Sequence, residues 1–231
     1  MVDTAPVTLT RRLDAAETDD AVYLLQRYYA GLIAGDCTGF EGGHWDTFDP
    51  SGTRASSPDE FTADDLLSAS LLSADIPPRA VVRILRDSDL RSKLTTGLRH
   101  LHDDRDLASL THDEIRHLEQ TSALWGVLRE IGGLGPTRTS KLIARKRPRL
   151  IPIYDSVVGG AVYGSTTRGY WTRLHGALTA DDHALHRHLV SLRNRAGLQQ
   201  WVSPLRVFDV IAWLDASGKG DELLMRRDGT A

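Results

Sequence analysis

The sequence predicts an all-α fold. Three observations carry that prediction. Apolar residues recur at helical spacing through almost the whole chain, capping boxes open two of the segments, and glycine or proline stands at the interruptions. No internal repeat and no series of alternating strands competes with this pattern.

The elements follow in order. Thr18, Asp19 and Asp20 open a helix with apolar positions Val22, Leu25, Tyr29, Leu32 and Ile33, and it stops near Gly35. Residues 36–61 hold Gly39, Gly42, Gly43, Pro50, Gly52 and Pro58, with Phe40, Trp45 and Phe48 between them. This composition predicts an ordered loop or a small β-hairpin near residues 37–50. Thr62 and Asp65 form a capping box ahead of Leu66, Leu67, Leu71 and Leu72. Pro77 and Pro78 start a helix with Val81, Val82, Ile84 and Leu85, and another runs from Leu90 to Leu101. Thr111 and Glu114 make the second capping box, before a stripe of Ile115, Leu118, Leu124, Trp125, Leu128 and Ile131. Gly132 and Gly133 end that stripe, Pro136 restarts a helix, and Pro148 ends it. After the apolar run 150–154, Asp155 or Ser156 caps the next helix. Further helices are expected near 170–178, from Asp181 to about Gln199, and from Ser203-Pro204 to Asp215. The expected organisation is one helical unit over 17–216, with its hairpin and basic half at 122–200, between mobile tails at 1–16 and 217–231.

Length and composition bound the function. A chain of 231 residues, 41% of them hydrophobic and 26% charged, can bury a core and behaves as a folded domain. No apolar run is long enough for a membrane span, and Met1–Asp20 lacks the apolar region of a signal peptide. Cys37 is the one cysteine, which excludes an internal disulfide, a four-cysteine zinc site and a cysteine-held iron–sulfur cluster. The expected location is the cytoplasm, at the nucleoid. The charge is unevenly spread: residues 1–130 carry a net −10 and residues 131–231 a net +7. A basic half suits a polyanionic partner.

The segment from Ile131 to Arg149 concentrates the information. Gly132-Gly133-Leu134-Gly135 reads as a tight turn between two helices, since glycine permits positive φ and close backbone approach. The helix that starts at Pro136 points its unpaired N–H groups and positive dipole end outward, a geometry that binds phosphate. From 138 to 149 there are six cations and no acid, and Arg138, Lys141 and Arg145 share one helical face. A plain helical corner with a solvated basic face explains the same residues.

Gly133-Leu134-Gly135 and the helix after it resemble the helix-hairpin-helix of the base-excision DNA glycosylase superfamily. Members of that superfamily place a catalytic aspartate about twenty residues after the last hairpin glycine, behind a short apolar stretch. Here Ile151-Pro152-Ile153-Tyr154-Asp155 occupies that place, and Asp155 lies 20 residues after Gly135. The match is close over about residues 122–165. The whole chain also resembles an uncharacterised actinobacterial family, which adds no activity. Two positions depart from the superfamily pattern. Gly132 replaces the usual hairpin proline. Thr137 stands where bifunctional members carry their lysine, and Lys141 lies a turn further on. The resemblance therefore implies a monofunctional glycosylase acting on double-stranded DNA, with Asp155 catalytic. Gly133, Leu134, Gly135, Thr137, Arg138, Lys141 and Arg145 would contact DNA. No metal is expected in the catalytic site; a monovalent cation at the hairpin carbonyls is the one cofactor the resemblance allows.

The chemistry suits these residue types. Cleavage of an N-glycosidic bond passes through an oxocarbenium-like sugar, which a partly desolvated carboxylate stabilises while orienting a water. The base must first leave the stack, so an aromatic platform is expected. Tyr154, Tyr163, Tyr170, Trp171 and Trp45 are the candidates, with core packing as the alternative for each tryptophan. For Asp155 the alternative is a simple N-cap. His183, His186 and His188 cluster on one helix without carboxylates to complete a zinc site, and they read as a solvated face. Residues 40–49 either line a pocket or cover the core, and Cys37 reads as packing. Two rival functions use the same fold: a non-catalytic module for bent or damaged DNA, and a protein-interaction domain.

Overall fold

A computed structural model describes residues 6–101 and 104–229. Its regular structure is helical, and no strand occurs among the described residues. The α-helices are α1 (Thr18–Tyr28), α2 (Ala30–Ala34), α3 (Ala63–Ser68), α4 (Pro78–Arg86), α5 (Ser88–His100) and α6 (His112–Thr121). After them come α7 (Ala123–Arg129), α8 (Pro136–Lys146), α9 (Ser156–Tyr163), α10 (Tyr170–Arg195), α11 (Pro204–Ala216) and α12 (Lys219–Arg227). No helix among the described residues is long and apolar enough to cross a membrane.

The local signals act as the sequence suggests. Thr62 Oγ1 accepts from the Asp65 N–H at 3.3 Å while Asp65 accepts from the Thr62 N–H at 2.9 Å. Thr111 and Glu114 do the same for α6, at 3.2 and 2.7 Å. Each box satisfies donors that a helix start leaves open. The glycines at 132–135 turn the chain between α7 and α8. Gly133 takes φ +87°, and the Leu134 N–H donates to Ile131 O at 3.0 Å. The long α10 is interrupted at Ala180–His183, where Asp181, Asp182 and His183 have positive φ. The expected pair of helices on either side of residue 180 is therefore present, the two running together across this kink under the one label α10.

α11 lies at the centre. Leu205, Val207, Phe208, Val210, Ile211, Ala212 and Leu214 are all buried, and the helix packs on α1, α9, α10 and α12. A helix that is apolar nearly all round belongs inside. Charged residues on it, Arg206 and Asp209, are thereby carried into the interior.

Two expectations are corrected. The β-hairpin near residues 37–50 does not form; Glu41–His44 is a 3-10 turn flanked by bends. The reason is close approach and competing donors. A Cβ on Gly42 would lie 2.0 Å from the Tyr28 hydroxyl, and one on Gly43 would lie 2.6 Å from Tyr28 O, so this loop is pressed onto α1. Its carbonyls are taken by arginines: Arg206 donates to Gly42 O and Arg145 to Trp45 O and Phe48 O from far along the chain, and Arg54 donates to Asp46 O from within the segment. No ladder is left to make. The tails are also ordered where they are described. Leu13 is buried, and Arg12 reaches Asp215 at 2.6 Å and also bonds Asp221. α12 buries Leu224 in the same core. Their amphipathic residues bury apolar area against α1 and α11, which outweighs terminal fraying. Residues 1–5 and 230–231 of the expected tails lie outside the described residues.

Candidate active site

Ser140 begins the construction. It sits on α8, and its hydroxyl donates to Tyr154 O at 2.9 Å and accepts from the Tyr154 N–H at 3.0 Å. That ties the apolar run 150–154 to α8. Ile151 and Ile153 plug it into the interior. Asp155 follows at the point where the chain turns into α9. Its Oδ1 accepts from the Val157 N–H at 2.9 Å, so it is the N-cap of α9. Its Oδ2 accepts from Lys141 Nζ at 2.8 Å, and Lys141 also donates to Leu72 O at 2.8 Å. Lys141 is 5% and Asp155 16% exposed in their side chains. The α8 turn that brings Ser140 to Tyr154 thus brings its neighbour Lys141 to Asp155.

This ion pair opens on a cavity of about 300 Å³. Leu71, Leu72 and Ser73 form one wall, and Ser156 and Val157 edge it. Part of the lining is aromatic. Tyr28 and Phe40 stack with centroids 5.2 Å apart and planes 14° apart, and Trp213 meets both edge-on at 6.3 and 5.9 Å. Arg206 and Asp209 also line it. The Arg206 guanidinium donates to Tyr28 Oη at 2.8 Å, Gly42 O at 2.9 Å, Asp46 Oδ2 at 3.3 Å and Asp209 Oδ2. It also lies over the Tyr28 and Trp45 rings. Burial pushes the Asp209 and Asp46 carboxyls above the usual carboxylate range, with Arg206 opposing the shift in both. The cavity therefore faces two carboxylates, Asp155 and Asp209.

The expected DNA-contact set divides. Gly133 is exposed, and Gly135, Thr137 and Arg138 are half-buried, at the surface turn. No side chain caps the start of α8, so its first N–H groups have no side-chain acceptor at the N-cap. Leu134 is 2% exposed and packs in the core. The solvent-facing basic stripe on α8 is corrected. Lys141 is turned inward to Asp155, and Arg145 is 1% exposed, with Asp65 at 3.3 Å and the loop carbonyls of Trp45 and Phe48 as partners. Lys146 reaches Asp65 at 2.7 Å, Arg147 reaches Asp59 and Arg149 reaches Asp106, both at 2.5 Å. Five of the six cations between 138 and 149 thus pair with carboxylates, and four of the pairs use acids from the first half of the chain. The charge asymmetry is largely consumed by the fold itself.

The hairpin carbonyls are engaged as well. Gly133 O accepts from Arg138 Nη1 at 2.9 Å, and Leu134 O accepts from Arg129 Nη1. Two guanidinium groups stand where the resemblance puts a monovalent cation.

The stacking candidates are also corrected. Tyr154, Tyr163, Tyr170 and Trp171 pack on one another, with successive tyrosine centroids 5.6–6.1 Å apart, and all are buried. Trp45 is 1% exposed beneath Arg145 and Arg206. None of the five lines the cavity. Their apolar neighbours in sequence pull them into the interior. The rings at the cavity are Tyr28, Phe40 and Trp213; Phe40 belongs to the 40–49 segment for which pocket lining was one of two alternatives, while Tyr28 and Trp213 were not assigned to a site. Arg206 and Asp209 were missed too, although an ionisable pair three apart within an apolar helix was a readable signal. His183, His186 and His188 are half-buried rather than solvated, and burial lowers the last two. No group of three or more potential metal ligands occurs among the described residues. Cys37 is exposed rather than packed.

These features define an all-helical protein with a glycine turn between two helices and, beside it, a carboxylate-bearing cavity with an aromatic wall. Residues 21–216 match a family of unknown function, DUF6308, and the chain belongs to that family. No curated protein and no solved structure matches it.

Proposed function

We propose that this protein is a monofunctional DNA glycosylase, which hydrolyses the N-glycosidic bond of a flipped, modified or damaged base in double-stranded DNA. The observation that carries the reading is the Lys141–Asp155 pair at an aromatic-walled cavity of about 300 Å³ beside the helix–turn–helix corner. That volume is at the small end of ligand pockets, which suits one base with part of its sugar. The turn at Gly133–Thr137 and the open start of α8 would take a backbone phosphate, with Arg138 beside it.

In this reading the bond from C1′ to the base nitrogen breaks with its electron pair leaving on the base. The Asp155 carboxylate stabilises the positive charge on the sugar. A water then adds to C1′ and gives its proton to a carboxylate. Lys141 donates to Asp155 and to a carbonyl, so it acts as an ammonium ion that orients the carboxylate and is not a free amine nucleophile. This favours hydrolysis over a Schiff-base lyase. Arg129 and Arg138 take the part expected of a hairpin cation. Such an enzyme works at the nucleoid.

A non-catalytic DNA-binding module is the second reading. The observation in its favour is that both oxygens of Asp155 already have structural partners. Incubation with duplexes bearing a panel of modified bases, followed by alkaline cleavage at abasic sites, separates the two. Excision by the wild type that is lost in Asp155→Asn supports the enzyme. Salt-sensitive duplex binding without excision across the panel supports the module.

A further inference from the structure

The helix α4 carries Arg79, Arg83 and Arg86 at positions that share one face. All three are exposed, and none of their side chains has a hydrogen-bond or ion-pair partner among the described residues. Most other cations near the hairpin are engaged: Arg129 and Arg138 by carbonyls, Lys141 and Arg145 to Arg149 by carboxylates. No acid lies within Pro78–Arg86, and of those that follow, Asp87 is engaged in capping α5 through the Leu90 N–H at 3.0 Å.

The position of this face matters as much as its charge. Leu71, Leu72 and Ser73 line the cavity. Asp75 O then accepts from Arg138 Nε at 2.6 Å. Pro77 touches the hairpin, since a Cβ on Gly133 would come 2.7 Å from its Cγ. Arg79 follows at once. One stretch of chain thus leads from the cavity wall, past the glycine turn, onto the arginine face.

We propose that the Arg79, Arg83 and Arg86 face of α4 is a track for the phosphodiester backbone of duplex DNA, continuous with the hairpin. The inference rests on the DNA-binding part of the reading above and is independent of excision. Seven residues of helix rise about 10 Å, which matches about three phosphates of one strand along the duplex axis. A basic helix also suits an anionic lipid surface. α4 spends its apolar side on the core through Ala80 and Ile84, and Val82 is the one large apolar side chain it leaves exposed. That is too little to insert into a bilayer, so a polyanion without an apolar phase fits better.

The test is a fluorescence-anisotropy titration of a 20-base-pair duplex between 50 and 200 mM salt. Replacing the three arginines together by glutamine should lower the slope of log affinity against log salt by about 2.7, for three phosphate contacts. Replacing them by lysine should keep most of the slope. Circular dichroism and melting temperature should be near wild type for both, since all three side chains are exposed. An unchanged slope in the folded glutamine variant overturns the proposal. Tighter binding of the wild type to phosphatidylserine vesicles than to duplex, lost in the glutamine variant, overturns it in favour of a lipid surface. No duplex binding by the wild type overturns it together with the DNA reading. A slope that falls as expected in a protein that excises nothing supports this track and ends the glycosylase reading alone.

Discussion

Asp155 has two partners, and its substitutions separate two roles. Asp155→Asn keeps an acceptor for the Val157 N–H and so keeps the cap. It removes the charge facing the cavity. If the carboxylate acts on the sugar, single-turnover excision falls by about 10²–10⁴-fold. It also leaves Lys141 as a buried ammonium with only Leu72 O, a loss of about 3 kcal/mol. The double variant Lys141→Met with Asp155→Asn removes that orphaned charge. It is expected to recover melting temperature without recovering excision. Recovery of both would make the pair structural. Asp104 offers a pH test of a different kind. It accepts from the Arg149 N–H at 2.8 Å, and burial raises its carboxyl above the usual range. A raised native value means the folded state holds the proton more tightly than the unfolded one. Its contribution to stability is therefore full below the ordinary carboxylate range and is lost as pH rises through the raised value. Asp104→Asn keeps the acceptor and removes that loss. The variant should melt higher than wild type at pH 7, with the difference vanishing near pH 3. A gap of the same size at both values would refute the assignment.

At the scale of elements, the interior arginines hold the 41–54 loop in place of a sheet. Arg145→Met removes donors from Trp45 O and Phe48 O and a partner from Asp65. A cost of about 3–5 kcal/mol is expected in urea unfolding, with amide exchange in the loop rising more than in α11. The contrast shows what could be read from sequence. Capping boxes at Thr62 and Thr111 and the glycine turn at 132–135 are local chemistry, written within four residues, and each was legible. The direction in which α8 points its cations was not. Periodicity places Arg138, Lys141 and Arg145 near one another, but which way they face depends on Asp65 and Asp155 and on loop carbonyls up to 100 residues away. The hairpin expectation failed for the same reason, since the donors that occupy its carbonyls come largely from α8 and α11. Asp155 was legible as one of two candidates for the cap of α9, because the apolar run 150–154 ends at it. The wall of the cavity was not, because Tyr28, Phe40 and Trp213 come together only when α1, the loop and α11 are packed.

For the molecule as a whole, the two halves of the sequence are electrostatic complements. Asp59, Asp65 and Asp106 from the acidic half meet Arg145, Lys146, Arg147 and Arg149 from the basic half. A chain cut at residue 130 leaves both sets unpaired. Residues 1–130 expressed alone should lack a cooperative thermal transition, as also follows from a core that draws on Leu13 and Leu224 alike. A cooperative melt of that fragment would show that the halves fold separately. If the protein binds DNA as proposed, the same pairing limits the number of phosphate contacts. Lys141 and Arg145 to Arg149 are paired with carboxylates, whereas Arg138 bonds only neutral carbonyls and keeps its charge; with the three α4 arginines that makes four cations for phosphate, so the wild-type salt slope should be about −3.6. A markedly steeper slope would place further phosphate contacts outside these four.

The Ser140 hydroxyl, which holds both backbone groups of Tyr154, also works as a length standard. An extended segment advances about 3.3 Å per residue. If the chain between Arg147 and Tyr154 gained or lost one residue, the partner of Ser140 would change and Asp155 would move by about that distance. Its 2.8 Å bond to Lys141 would then be out of reach. The 20-residue interval from Gly135 to Asp155 is thus a measured span. Substitutions along it are tolerable wherever they keep the fold, while a single insertion would leave every side chain present and the carboxylate in the wrong place.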